Sequence, residues 1–235
     1  MSDRTDHPWT VLHEWWLEEV TSDPAYEDEV TPLVLTLLRA TGRVLDVGCG
    51  EGRLMRSLVG AGSLPTGVDI SWPLLKRAAV HGPVVLGDLP SLDWCVDHAF
   101  DAAVVSLVLE HIPDHQLLLS ELGRVVRTGG HLVLVMNHPI YTAPESAPIQ
   151  ETDGEVLWRP GEYFGSGYTD EPAGPEYVRF HHRTLSALLS DAAAVGWDLQ
   201  ELYETGASAA QIDRHPPLAL QKHIPRLLGV RWRRR

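Results

Sequence analysis

The residues best suited to chemistry stand together in one short run, Val44-Leu45-Asp46-Val47-Gly48-Cys49-Gly50-Glu51-Gly52-Arg53. An apolar strand runs into three glycines and then into a helix. Glycine lets the backbone turn sharply and lets a ligand approach it closely, and the start of a helix offers unpaired N–H groups that suit a carboxylate. A nicotinamide dinucleotide would want a glycine where Arg53 stands, and Asp46 and Glu51 are awkward company for a pyrophosphate. The same acids tolerate a ligand that carries an ammonium, a sulfonium and only one carboxylate, which is the charge pattern of S-adenosylmethionine.

Two further acids follow at strand ends. Asp69, in Gly67-Val68-Asp69-Ile70-Ser71, lies 23 residues after Asp46. An acid about 20 residues on, at the end of the second strand, can accept hydrogen bonds from both hydroxyls of a ribose. Asp88, in Gly87-Asp88-Leu89, ends a third strand, where its carboxylate can accept a bond from an adenine amino group. Acids closing three successive strands would face one crevice.

A methyl group on a sulfonium is already activated, so orientation of the nucleophile supplies much of the acceleration. A hydroxyl or protonated amine must also lose a proton, and histidine is a suitable base near neutral pH. Candidates are His111 after the fourth strand, His138 after the fifth, and His181 and His182 ahead of a late helix. The reading adopted is that His138 or His182 touches the acceptor while His111 shapes the cofactor floor. The alternative for each is a loop cap or loop hydrogen bond. Trp16 is the expected aromatic contact to the site, whereas Trp9 and Trp15 read as packing. Tyr141, Trp158 and Tyr168 are expected to bind substrate in an apolar pocket. Neighbouring histidines and Glu110-His111 are too little for a metal site, so none is expected.

The elements that must position these groups alternate. Residues 8–40 read as two helices with Trp9, Leu12, Trp15, Trp16 and Leu17 on one stripe. Strands are expected at 43–47, 66–70, 84–86, 101–107, 131–136, 197–203 and 227–232, with helices at 53–60, 113–126 and 184–195 and one more that starts after its cap, Ser71. This order implies a parallel sheet with helices on both faces and ligands beyond the carboxyl ends of its strands. Residues 137–179 break the alternation with Pro, Gly and aromatics, as expected of a lid or binding element. The chain then reads as a single domain, 1–235: a helical cap at 1–41, a cofactor-binding core at 42–137, a substrate-binding insertion at 138–180, and the rest of the sheet at 181–235.

Composition narrows the partners. A net charge of −13 disfavours broad electrostatic binding to nucleic acid. The basic tail, Arg231, Arg233, Arg234 and Arg235, reads as a solvated strand end. Apolar runs such as Leu132 to Met136 are too short to span a membrane. Two cysteines and an N-terminus without an apolar core suit a reducing cytoplasm. The oligomeric state is open.

Taken together, Val44 to Leu54, Asp69, Asp88, Phe100 to Asp114 and Gly129-Gly130 resemble the class I S-adenosylmethionine-dependent methyltransferases, over about four fifths of the chain. The resemblance implies a Rossmann-like seven-stranded sheet with its last strand antiparallel, an N-terminal helical lid and an insertion after strand 5. It implies that Asp46, Gly48, Cys49 and Gly50 hold the methionine end, Asp69 the ribose, and Asp88 with Leu89 the adenine. Ile70 would flank the adenine, and Ser106 and Leu107 would pass the methionine and sulfonium. Expected activity is methyl transfer to an oxygen or nitrogen of a small molecule. The competing readings are an NAD-dependent oxidoreductase, a cofactor-binding regulatory protein without catalysis, and an RNA or protein methyltransferase. Net charge disfavours RNA, and Asn137-His138-Pro139-Ile140 lacks the asparagine–proline–proline–tyrosine pattern.

Overall fold

In the first element of the sheet, β1 (Arg43–Val47), every residue after Arg43 is buried. Only a central strand covered on both faces reads this way. The computed structural model describes residues 7–22, 24–39, 42–152 and 154–235. It places β1 between β2 (Leu64–Asp69) and β4 (Phe100–Ser106), both parallel to it. The full sheet has seven strands in the order β10-β11-β5-β4-β1-β2-β3, with β3 at Val84–Leu86, β5 at Val126–Asn137, β10 at Trp197–Thr205 and β11 at Leu227–Arg234. β11 is antiparallel to both of its neighbours, as expected of the last strand.

Side chains on a strand alternate between its faces, and the two halves of the core follow that period. Leu45, Val47, Ala103, Val105, Leu132 and Leu134 pack on one side with residues of α6 (His115–Val125) and α8 (Leu185–Ala194). Val44, Ala102, Val104, Val133 and Val135 pack on the other with α3 (Thr31–Leu38) and Leu58 of α4 (Arg53–Gly60). Trp197 and Trp232 are fully enclosed, and the indole N–H of Trp197 donates to the Leu119 carbonyl at 3.0 Å. The two-sided core fixes β1 and β4 rigidly, so the loops at their carboxyl ends start from defined points.

Several local expectations need correction. The N-terminal segment is not two helices: α1 (Pro8–Val11) and α2 (His13–Ser22) are followed by a π-helical turn at Tyr26–Val30 that runs into α3. Ser71 sits at the cap position of α5 (Trp72–Ala78), but its hydroxyl makes no capping bond. Its amide instead donates to Asp69 Oδ1 at 2.8 Å. Gly129-Gly130 falls inside β5 as an irregularity, where the pairing jumps from Phe100↔Val126 to Ala102↔His131. The basic tail is bonded rather than merely solvated. Arg231 pairs with Glu201 at 3.1 Å, and Arg234 donates to the carbonyls of Gly123, Val195 and Gly196 where α6 and α8 end.

The insertion is ordered into a short helix α7 (Pro139–Thr142) and two hairpins, β6–β7 (Ala147–Gln150 with Val156–Arg159) and β8–β9 (Gly167–Ala173 with Glu176–His182). Gly174, at φ +54, turns β8 into β9, and a Cβ there would lie 2.8 Å from the Trp15 ring. Leu12, Ala173 and Val178 form a small core with Trp9, Trp15 and Phe180 packed against it. The N-terminal helices and the second hairpin thus form one layer, laid across the carboxyl ends of the strands. Among the described residues, no helix is long and apolar enough to cross a membrane.

Candidate active site

The glycine turn after β1 is built by backbone bonds to β2. The amides of Gly48 and Cys49 both donate to the Val68 carbonyl, at 2.8 and 3.0 Å, and the amide of Gly50 donates to Asp69 Oδ2 at 2.9 Å. Gly48 has φ +72, and a Cβ there would lie 2.4 Å from Val108 Cγ2. Both the left-handed backbone and the close approach therefore require glycine. Gly52, also left-handed, is the N-cap of α4 and offers no side chain to cap it.

This turn forms one wall of a cavity of about 330 Å³. Gly48, Gly50 and Asp69 line it, as do Ile70, Asp88 and Leu89 at the ends of β2 and β3 and Ser106 and Leu107 at the end of β4. Val108, beside Gly48, and His111, Ile112 and Pro113 line it too. The rim is closed by His7, Trp9, Trp16 and Tyr26. Trp9 meets Trp16 edge to face at 5.7 Å, and Trp16 meets Tyr26 at 5.7 Å, an arrangement aromatic quadrupoles favour.

The electrostatics of the turn are unusual. Asp46 is buried beneath it, and its Oδ2 has no hydrogen-bond partner. Burial first, then the charges of Asp69 and Glu51, push its carboxyl up to about 8. Burial also raises Asp69, against the pull of amide bonds from Ser71, Gly50 and Ile70. A solitary buried carboxyl oxygen costs free energy unless a donor meets it. An ammonium at this end of the cavity would supply that donor, and the bare Cα of Gly50, open to the cavity towards the Trp16 indole N–H, leaves room for it. The residues present therefore fit the amino-acid end of S-adenosylmethionine.

His111 belongs to this cavity. It ends a 3₁₀ turn, Leu109–His111, and its ring lies 5.0 Å from Trp9 and 4.6 Å from Phe180. Its Nδ1 is 2.9 Å from the Arg179 carbonyl. A carbonyl only accepts, so Nδ1 carries the proton and, in the neutral ring, Nε2 keeps a lone pair.

The other expected site residues lie elsewhere. His138 is buried with both nitrogens engaged: Nδ1 accepts from the Ile140 amide at 3.2 Å, and Nε2 is 2.8 Å from Glu204. His182 is likewise buried between Thr142 Oγ1 at 3.1 Å and the Tyr163 carbonyl at 2.8 Å, and burial lowers its pKa. Neither lines the cavity, because each spends its ring holding α7 and the insertion in place. Tyr141 stacks on Trp158 at 4.2 Å, and the Trp158 indole donates to the Ile140 carbonyl. Tyr168 is exposed and covered by the Arg179 guanidinium at 3.7 Å. The three aromatics pack the insertion and do not reach the cavity. Cys49 contributes backbone only, since its side chain packs with Met55 and Leu75.

Among the cavity residues missed or misread from sequence are Trp9, His7 and Val108. Trp9, read as packing, lines the cavity. Its spacing of seven from Trp16 was the available signal, since two helical turns return to one face. His7 accepts from the Trp9 amide at 3.3 Å as the cap of α1. Burial lowers its pKa, against the attraction of Asp88 and Asp69. A His-Pro pair at a helix start was the clue to His7. Val108 had no signal, because its role as the neighbour of Gly48 is purely tertiary.

Comparison with known proteins agrees with this geometry. Residues 45–134 match a family model described as a methyltransferase domain. The ubiquinone biosynthesis O-methyltransferase of Thiobacillus denitrificans is 34% identical over 132 residues, 51% of this chain and 56% of that protein. The chain thus spans about half the length of the curated relatives it matches. A crystal structure of an S-adenosylmethionine-dependent methyltransferase from Mesorhizobium loti superposes with a TM-score of 0.78 at 29% identity, covering 92% of this chain and 100% of that one. The 1,6-didemethyltoxoflavin-N1-methyltransferase of Burkholderia thailandensis, solved with its substrate and S-adenosylhomocysteine, shares the fold at 16% identity and a TM-score of 0.59, over 95% of this chain and 87% of that one.

Proposed function

We propose that the chain is a class I S-adenosylmethionine-dependent methyltransferase and that it transfers the sulfonium methyl group to an oxygen or nitrogen of a small molecule. Bound S-adenosylmethionine would supply a methyl group already activated for in-line displacement. The chain's own task is to bind, orient and remove a proton. Asp46 meets the ammonium, the turn at Gly48 and Gly50 admits the methionine backbone, Asp69 accepts from the ribose hydroxyls, and Asp88 with Leu89 borders the adenine. Ile70 flanks that ring, and Ser106 and Leu107 pass the sulfonium. Trp9, Trp16 and Tyr26 exclude water from above.

The single observation that carries this reading is that the glycine turn, Asp69, Asp88 and His111 line one cavity. His111 becomes the preferred base. Its anchored Nδ1 leaves Nε2 to take the proton of a hydroxyl or ammonium, and an anchored ring loses no orientation entropy at the moment of transfer. A nicotinamide dinucleotide would set its pyrophosphate against Asp46 and Glu51, which disfavours that reading.

The curated relatives are named for O-methylation, so a hydroxyl acceptor comes first in the test. Two free, buried cysteines fit work in a reducing cytoplasm. The test is calorimetry with S-adenosylhomocysteine, followed by transfer of radiolabelled methyl to a panel of hydroxylated aromatic compounds. Micromolar binding with labelled product is expected. No affinity for S-adenosylhomocysteine would overturn the reading.

A further inference from the structure

We infer that Arg183 is a positioning residue that holds the loop after β4 so that His111 presents its Nε2 to the cavity. The inference rests on the proposed methyl-transfer reading for its meaning, though not for its geometry. Arg183 follows β9 directly, and its side chain is buried. Nη1 donates to the Leu109 carbonyl at 3.0 Å, while Nη2 donates to the carbonyls of Ile112 and, at 3.2 Å, Pro113. These three carbonyls bracket His111. A 3₁₀ turn of three residues has little internal bonding to hold its shape. The guanidinium fork supplies what the turn lacks, because its donors are fixed in one plane and reach several acceptors at once.

The same strand grips the turn twice more. The Arg179 carbonyl accepts from His111 Nδ1, and the Phe180 ring packs on the imidazole. β9 in turn is tied to the insertion through His182, bonded to Thr142 and to the Tyr163 carbonyl. The proposed base is thus carried by one loop and oriented by another, and the insertion braces that loop without lining the cavity. Burial pulls the Arg183 guanidinium down to about 10, which leaves it charged at neutral pH and able to donate to all three carbonyls.

Charge alone would be an alternative role, since Glu110 lies close enough to favour the charged guanidinium. Lysine would keep that charge but not the fork, so Arg183→Lys separates the two roles. The experiment uses full-length protein with ¹⁵N-labelled histidine and long-range ¹H–¹⁵N correlation spectra, with His111 identified by its absence in His111→Gln. The wild type is expected to show His111 protonated at Nδ1 alone. Arg183→Lys and Arg183→Met are expected to show protons averaged over both nitrogens, with S-adenosylhomocysteine affinity within about threefold of wild type, because the clamp bonds none of the residues assigned to the cofactor.

A folded Arg183→Lys that keeps the wild-type tautomer would overturn the inference in favour of a charge role. A lysine variant that does not fold would overturn it in favour of a purely structural role. Should Arg183→Met alone fail to fold, the lysine variant decides. Absence of S-adenosylhomocysteine binding in the wild type would sink the methyl-transfer reading and leave the tautomer result standing as a statement about the clamp.

Discussion

The loops after β4 and β5 leave neighbouring parallel strands, and each carries a histidine close behind the strand end. They behave in opposite ways. His111 gives one nitrogen to a carbonyl and keeps the other towards the cavity. His138 gives one nitrogen to a helix cap and the other to Glu204, and faces no cavity. The difference does not lie in the residue type. It lies in what packs above: aromatic rings that leave a cavity over β4, and an antiparallel β11–β10 pair that brings Glu204 over β5. A ring tethered at one end is available for proton transfer, whereas a ring tethered at both ends is a strut.

The largest effect is expected at the glycine turn. Gly48→Ala would force a Cβ into Val108 at a backbone angle that favours glycine. We expect S-adenosylhomocysteine affinity to fall by about 100-fold or more and stability by about 2–3 kcal/mol, measured by calorimetry and urea unfolding. An alanine variant that binds normally would show that the turn is not the cofactor wall.

The next largest effect sharpens the comparison itself. His111→Ala should lower turnover by about 10²- to 10⁴-fold, with cofactor affinity changed by no more than about threefold. His138→Ala should leave turnover within about twofold and instead cost about 1–3 kcal/mol of stability, because Glu204 and the Ile140 amide lose their partner. Reversed results would exchange the two assignments.

Asp46 gives a pH signature. Its folded-state pKa of about 8 lies above the ordinary 3.8, so the folded protein holds a proton that the unfolded chain releases. That stability is fully present below about pH 4 and is lost as pH rises through about 8. Thermal scans of ligand-free Asp46→Asn should be flatter over this window than those of wild type. The affinity of wild type for S-adenosylhomocysteine should rise towards pH 8 as the carboxylate forms. Parallel curves for the two proteins would remove Asp46 from the ligand contact.

The smallest effect belongs to the insertion. Burial lowers the pKa of His182 below 6.5, so the unfolded chain binds the proton more readily. Its contribution to stability is present above pH 6.5 and is lost as pH falls below it. His182→Gln should reduce the acid sensitivity seen in unfolding midpoints as pH falls below 6.5. No change in that slope would mean that the ring titrates as freely as an exposed one.

How legible was the site? Where function and local pattern coincide, it could be read directly. The turn at Gly48 to Gly52 and the acids at Asp69 and Asp88 are neighbours of the strands that carry them, so strand ends found from apolar runs also found the crevice. The insertion was harder to read. Tyr141, Trp158 and Tyr168 are aromatic enough for a binding pocket, but the same apolar surface can close a hairpin, and only their partners distinguish the two roles. Nothing local to Arg183 indicates that it reaches the carbonyls around His111, more than 70 positions away.

By itself, the order of residues determined the alternation of strands and helices, the glycine turn with its acids, and so the class of ligand the crevice suits, because each depends on spacing along a single strand or turn. Tertiary structure alone decided which histidine meets the cavity, which aromatics cover it and which merely pack, and that an arginine from beyond the insertion braces the loop carrying His111. Those outcomes depend on which hydrogen-bond partner arrives from a distant segment. A side chain's availability is what remains once those partners have been satisfied.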